Sequence, residues 1–122
     1  MKAAILTIGD EILLGQILDT NSRFMARELA KLGAQTVQMR SVSDEKDAIR
    51  HAVDEALRQA DAVFVTGGLG PTKDDLTKKV LADYFGTELA FNPQVYAWLE
   101  EIFAADPKRL NDYNKSQAWL PK

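Results

Sequence analysis

Apolar and polar positions alternate along this chain in two rhythms, one with the period of a strand and one with that of a helix. Residues 3–8 are an apolar run interrupted only by Thr7 and closed by Gly9, the pattern of a strand buried on both faces of a parallel sheet. A helix is predicted over residues 22–32, with Phe24, Met25, Leu29 and Leu32 as its apolar stripe, Asn21 as N-cap and Gly33 where it stops. Residues 35–42 form the next strand, with Val37, Met39 and Val42 apolar. Asp44 is placed to cap a second helix bearing Ile49, Ala52, Val53, Ala56 and Leu57 on one face. Residues 62–66 are short, branched and ended by Gly67-Gly68, the clearest strand in the sequence. A third helix is predicted over residues 73–85, with Leu76, Val80, Leu81 and Tyr84 inward and Gly86 at its end. This alternation implies right-handed crossovers and an α/β fold, a three-layer α/β/α sandwich with a mostly parallel sheet.

The rhythm changes after Gly86. Asn92-Pro93 is a strong helix start, and Val95, Leu99, Ile102 and Phe103 give that helix an apolar side. Asp106-Pro107 breaks it, a polar stretch with helical potential runs to Ala118, and residues 119–122 offer no closing element. Residues 12–18 are apolar where a short polar connection is expected, which reads as extra core packing or as an interface with another subunit.

Composition narrows the function classes. The 122 residues suit one domain, 1–122, and 46% hydrophobic with 27% charged residues is an ordinary globular balance. The net charge of −3, with both signs interspersed, lacks the basic face a nucleic-acid binder needs. Without cysteine there is no disulfide framework, thiolate zinc site or Cys nucleophile. No apolar stretch approaches the ~20 residues of a spanning helix, and no signal peptide is evident. A cytoplasmic protein with no membrane partner is expected.

Three parallel strands place their carboxyl ends along one sheet edge, where ligands of open α/β folds bind. After the first come Gly9, Asp10 and Glu11; after the second, Ser43 and Asp44; after the third, residues 66–75, which include Gly67, Gly68, Gly70, Pro71, Thr72, Asp74 and Asp75. The glycines allow positive φ and close approach of a ligand, and the loop opens a helix whose amides favour an anion. It is not a Walker A loop, which ends in Gly-Lys-Ser/Thr. Asp74 and Asp75 would repel a phosphate unless a hard cation intervened, and Mg²⁺ is commonly held by carboxylates together with substrate phosphates; each aspartate alone reads equally well as a dipole complement at a helix start. Residues 19–21 read first as a helix cap, with Asn21 as a secondary ligand contact. His51 falls on a polar helix side and reads as solvated. Ser43 and Thr72 have no histidine partner, which argues against a serine-type nucleophile. Tyr96, Trp98 and Phe103 share a helix and read as core or interface.

Gly9-Asp10-Glu11-Ile12-Leu13 with Gly15 and Asp19-Thr20-Asn21 resembles the opening of CinA amino-terminal domains, and Val42-Ser43-Asp44, Thr66-Gly67-Gly68-Leu69-Gly70-Pro71-Thr72 and Asp74-Asp75-Leu76-Thr77 follow in the same order. Asn114, Gln117-Ala118 and Pro121 resemble its continuation. The resemblance implies a molybdopterin-binding-domain-like fold. In that superfamily the aspartates matching Asp44 and Asp75 are the functional acidic residues, and the glycine loop matches the pterin-phosphate site. For the CinA branch it implies a metal-dependent ADP-ribose pyrophosphatase, with Asp44, Asp74 and Asp75 as catalytic and metal-holding residues for a Mg²⁺- or Co²⁺-type ion, and Asp10 and Glu11 as further donors. Gly67, Gly68, Gly70, Pro71, Thr72 and Asn21 would meet the phosphorylated ligand. The alternatives are a pterin-phosphate (molybdopterin) binding or adenylyl-transferring domain, and a non-catalytic regulatory module. A homo-oligomer is expected. The family domain is longer and often fused to a nicotinamide-nucleotide amidase domain, so the chain is expected to lack a carboxyl-end portion.

Overall fold

The computed structural model describes residues 1–10, 20–69 and 76–122, apart from the side chains of Asp112 and Tyr113. These residues form two compact units, Met1–Gly68 and Leu69–Lys122.

The first unit is built on β1 (Lys2–Ile8), which lies between β2 (Gln35–Val42) and β3 (Ala62–Thr66) and is parallel to both. The central place of β1 explains its unbroken apolar run, because each of its faces is covered by a helix. Helix α1 (Thr20–Lys31) covers one face: Ala3 and Ile5 pack with Leu29 and Ala34, joined by Met25, Ala26 and Phe64. Helix α2 (Lys46–Gln59) covers the other and buries Ile49, Ala52, Val53 and Ala56. The expected α/β/α layering and parallel strands are thus present.

Several details differ from expectation. The buried seam of α1 is Ser22, Met25, Ala26 and Leu29, a regular i, i+3, i+4, i+7 set; Phe24 lies one position off that seam and Leu32 lies beyond the helix, so both are exposed. Because α1 already includes Thr20, Asn21 sits in its first turn and does not cap it. On β2, an edge strand among the described residues, the register with β1 skips Val37, and Val37 and Met39 are exposed. The same skip aligns Arg40 with Leu6 on the α2 face, where its Nη1 meets Glu55 Oε2 at 2.6 Å. That hydrogen bond, and then the charge of His51, hold the Glu55 carboxyl below its ordinary value of 4.5. Asp44 does not cap α2: Glu45 is the N-cap residue and makes no side-chain cap bond. Leu57 is exposed, since α2 meets the sheet through the ridge of Ile49, Val53 and Ala56.

In the second unit α3 (Thr77–Tyr84) buries Thr77, Val80 and Ala82; the expected start of this helix at residues 73–75 lies outside the described residues. Then follow β4 (Leu89–Phe91), α4 (Pro93–Ile102), a short 3-10 turn at Pro107–Arg109, α5 (Asp112–Lys115), another 3-10 turn at Ser116–Ala118 and β5 (Trp119–Pro121). Asn92 caps α4 as expected, its Oδ1 accepting from the amides of Gln94 (3.0 Å) and Val95 (3.1 Å). Residues 119–121, expected to close nothing, pair antiparallel with β4, Phe91 opposite Trp119. The Lys78 ammonium anchors this segment by donating to the carbonyls of Trp119 (3.0 Å) and Ser116 (3.3 Å). Leu99 is buried in α4, whereas Ile102, expected inward, is exposed. Among the described residues no helix is long and apolar enough to cross a membrane.

Candidate functional site

Parallel strands joined by helices bring the carboxyl ends of β1, β2 and β3 to one edge. The amide of Gly9 donates to the Val42 carbonyl at 2.9 Å, which extends the β1–β2 ladder to its last rung. Asp10 follows immediately, and its Oδ1 accepts from two groups of the β2–α2 turn: the Ser43 hydroxyl at 2.8 Å and, more weakly, the Asp44 amide at 3.3 Å. The Glu45 amide donates back to the Ser43 carbonyl at 2.7 Å, tightening the turn that leads into α2. One oxygen of Asp10 therefore straps two strand ends together, while Oδ2 makes no hydrogen bond among the described residues.

At the end of β3 the requirement for glycine is steric as well as conformational. Gly67 has φ of +87°, and a Cβ built there would stand 2.1 Å from the Ile8 carbonyl oxygen. Gly67, directly after β3, is therefore packed against the end of the neighbouring strand β1, next to the segment that presents Asp10. Gly68 continues with φ of +63°.

Of the residues predicted for the site, Asp10, Asp44, Gly67 and Gly68 are thus brought to one edge. Asn21 is exposed in the first turn of α1, with no hydrogen bond to Asp10, Ser43 or Asp44 among the described residues. Glu11, Gly70, Pro71, Thr72, Asp74 and Asp75 lie outside the described residues, as does the apolar segment 12–18. His51 lies on the exposed side of α2 with its Nε2 3.2 Å from Glu55, as expected of a surface residue. Sequence reasoning set Ser43 aside because it has no histidine; its role here is different, orienting a carboxylate on the neighbouring strand. The signal was a hydroxyl and a carboxylate directly following adjacent parallel strands.

The donor chemistry of this edge is hard oxygen, which suits a Mg²⁺-type ion better than a soft metal. Among the described residues no three carboxylate or imidazole side chains gather into a metal cluster, so a bound ion would need donors beyond Asp10 and Asp44.

Comparison with known proteins agrees with this architecture. A family model described as a probable molybdopterin-binding domain matches residues 4–112. A CinA-like protein of Cytophaga hutchinsonii is 51% identical over 119 residues, covering 98% of this chain and 28% of that protein. A putative competence-damage inducible protein of Clostridioides difficile is 43% identical over 122 residues, covering 100% of this chain and 29% of that protein. The chain thus spans under a third of the length of these relatives. Among solved structures, the CinA protein of Thermoplasma acidophilum superposes with a TM-score of 0.84 at 33% identity, covering 98% of this chain and 70% of that one. The tungsten-cofactor-synthesizing MoaB of Pyrococcus furiosus superposes with a TM-score of 0.65 at 29% identity, covering 93% of this chain and 66% of that one. By sequence and by fold, the chain belongs to the probable molybdopterin-binding domain family and to its CinA-like members.

Proposed function

We propose that the strand-end edge binds the phosphates of a nucleotide-like ligand, and that the full-length protein hydrolyses the pyrophosphate of ADP-ribose to AMP and ribose 5-phosphate with a divalent ion. The observation that carries this reading is the junction of Asp10, Ser43 and Asp44 at the same strand ends where Gly67 packs against the Ile8 carbonyl. In this reading the backbone amides from Gly67 to Thr72 donate to phosphate oxygens, without Cβ atoms in the way at the glycines. Ser43 holds Oδ1 of Asp10, Oδ2 is the oxygen left to the ion, and Asp44, Asp74 and Asp75, with Glu11, supply the remaining oxygens. When bound, the ion supplies charge neutralisation and a more acidic water. Water would add at one phosphorus while the bridging P–O bond breaks, the leaving phosphate taking the electron pair and the water's proton passing to the solvent. Asn21 contributes a polar contact from α1. The reading places the protein in the cytoplasm.

The family match and the likeness to a cofactor-synthesizing MoaB favour a second reading, in which the same pocket holds a pterin phosphate and serves adenylyl transfer. Calorimetric titration of the full-length protein with ADP-ribose, AMP and a pterin phosphate, each with and without Mg²⁺ or Co²⁺, separates the two. Metal-dependent binding and turnover of ADP-ribose, both lost in Asp75→Asn, is the expected result. Tight binding of the pterin phosphate with no ADP-ribose turnover would overturn the first reading in favour of the second.

A further inference from the structure

The second unit carries a cavity that the proposed phosphate contacts do not use. It measures about 410 Å³ and is lined by Leu69, Lys78, Gln117 and Leu120, within the roughly 300–1,000 Å³ of sites for small organic ligands. Leu69 is the residue directly after Gly68 in the glycine loop, and it is 47% exposed. An occupant of this cavity therefore lies next to that loop.

Hydrogen bonds on either side of Gln117 tie down the main chain around it. The Lys78 ammonium donates to the carbonyls of Ser116 (3.3 Å) and Trp119 (3.0 Å), and the Asn92 amide donates to the carbonyl of Ala118 at 2.8 Å. Ala118 itself is fully buried. Leu120 is held opposite Ala90 by the β4–β5 pairing, and strand alternation turns it away from the face on which Trp119 meets Phe91. Gln117 is half-buried, yet its carboxamide has no hydrogen-bond partner among the described residues. A fixed main chain thus presents an unused donor and acceptor at a cavity that two leucines make partly apolar.

A carboxamide offers its acceptor oxygen and its donor nitrogen side by side. Adenine carries the complementary pair, the N6 amino group beside a ring nitrogen, and glutamine meets that edge with two hydrogen bonds. Apolar side chains that cover a planar ring, with a few polar groups to orient it, are the usual composition of a small-molecule site. We propose that Gln117 reads the adenine edge of the nucleotide ligand while Leu69 and Leu120 pack against the ring. This inference rests on the nucleotide reading of the site and adds to it the group that selects the base.

Calorimetric titration of the full-length protein with AMP and with ribose 5-phosphate, which lacks the base, both in the presence of Mg²⁺, isolates the share of binding that the base supplies. The parent is expected to bind AMP at least about tenfold more tightly than ribose 5-phosphate. Gln117→Met keeps the length of the side chain and removes its amide, so AMP affinity should fall about tenfold or more. Binding of ribose 5-phosphate and the Tm should stay as in the parent, which separates lost recognition from misfolding. Equal affinities of the parent for the two ligands, or AMP binding untouched by Gln117→Met, overturn the proposal and leave the phosphate reading standing. Base-dependent binding that requires Gln117 in a protein that does not hydrolyse ADP-ribose supports the proposal and removes the hydrolase reading. A pterin phosphate that binds more tightly than AMP, and is the ligand weakened by Gln117→Met, overturns the assignment to adenine. A parent that binds neither AMP nor ADP-ribose overturns both.

Discussion

Replacing Gly67 by alanine should be among the most costly single methyl additions the first unit can suffer. Two effects combine. A side chain at φ of +87° enters the left-handed region, at about 1–2 kcal/mol for a residue with a Cβ. The new Cβ would also stand 2.1 Å from the Ile8 carbonyl oxygen. That obstacle is main chain at the end of the central strand, with Ile8 itself buried, so it cannot rotate aside as a side-chain tip would. Forcing an extra methyl into such a site typically costs a further 1–3 kcal/mol or so. The expected total is about 2–5 kcal/mol, which for a domain of this size corresponds to a fall in Tm on the order of 8–20 °C. Gly33→Ala supplies the control within the same unit. Its φ is +82°, yet nothing lies within 4 Å of the position a Cβ would take, so it carries the conformational part alone, about 1–2 kcal/mol. Urea denaturation of the parent and both variants isolates the steric part as the difference between them. Equal destabilisation of the two variants would refute the claim that the β3 exit is clamped onto β1.

Three further outcomes follow from individual contacts. Asp10→Asn keeps an Oδ1 acceptor for Ser43 and Asp44 and should alter stability by no more than about 0.5 kcal/mol, while metal-dependent ligand binding by calorimetry falls at least tenfold or so through loss of charge; normal binding in the asparagine variant would reduce Asp10 to a structural strap. Asn92→Ala should destabilise the second unit by about 1 kcal/mol, and Asn92→Ser by only a few tenths or so, in the same denaturation assay; indifference to alanine would show that the Asn92 Oδ1 bonds to Gln94 and Val95 are not what starts α4. Arg40 and then His51 hold the Glu55 carboxyl below 4.5, so the stability it lends is fully present above pH 4.5 and is lost as pH falls through its lower folded value. The gap in Tm between parent and Glu55→Gln should close on acidification below that point, and a gap constant down to pH 3 or so would show that the carboxylate charge contributes nothing.

The layered fold was legible because periodicity reports burial, and burial is what a central strand and the seams of its covering helices share. Residues 3–8 and the set Ile49, Ala52, Val53 and Ala56 read directly as core. Periodicity failed where apolar side chains serve no core in this chain. Phe24, Leu32 and Ile102, read as parts of apolar helix faces, and Val37 and Met39, read as apolar strand positions, are all exposed, because hydrophobicity marks a position that could be buried without saying against what. It failed again at β5. Three residues, Trp119–Pro121, carry too little pattern to announce a strand, and their pairing with Leu89–Phe91 is a long-range event fixed partly by the Lys78 ammonium some forty positions upstream.

The residues that meet at the candidate edge could be nominated by type while their geometry stayed hidden, and the cause lies in one residue of register. The β1–β2 pairing runs from Ala3 opposite Thr36 to Ala4 opposite Gln38, passing over Val37. Without that skip Ile8 would lie opposite Ser41, and every later residue of β2 would turn to the other face of the sheet. Arg40 would then point towards α1 and lose Glu55, and the Gly9 amide would no longer meet the Val42 carbonyl at the last rung. Ser43 would shift by one position relative to Asp10, and the strap between the two strand ends would not form. Nothing in the composition of residues 35–42 announces the skip, since Val37 is as good a strand residue as its neighbours. The glycine at position 67 could be read as permissive from sequence, but the reason for it, the Ile8 carbonyl standing where its side chain would be, belongs to the pairing of β3 beside β1. A sequence can therefore nominate Asp10, Ser43, Asp44 and Gly67 from their places after three strands, while the bond that joins the first three and the contact that confines the fourth are consequences of strand register, which only the assembled sheet determines.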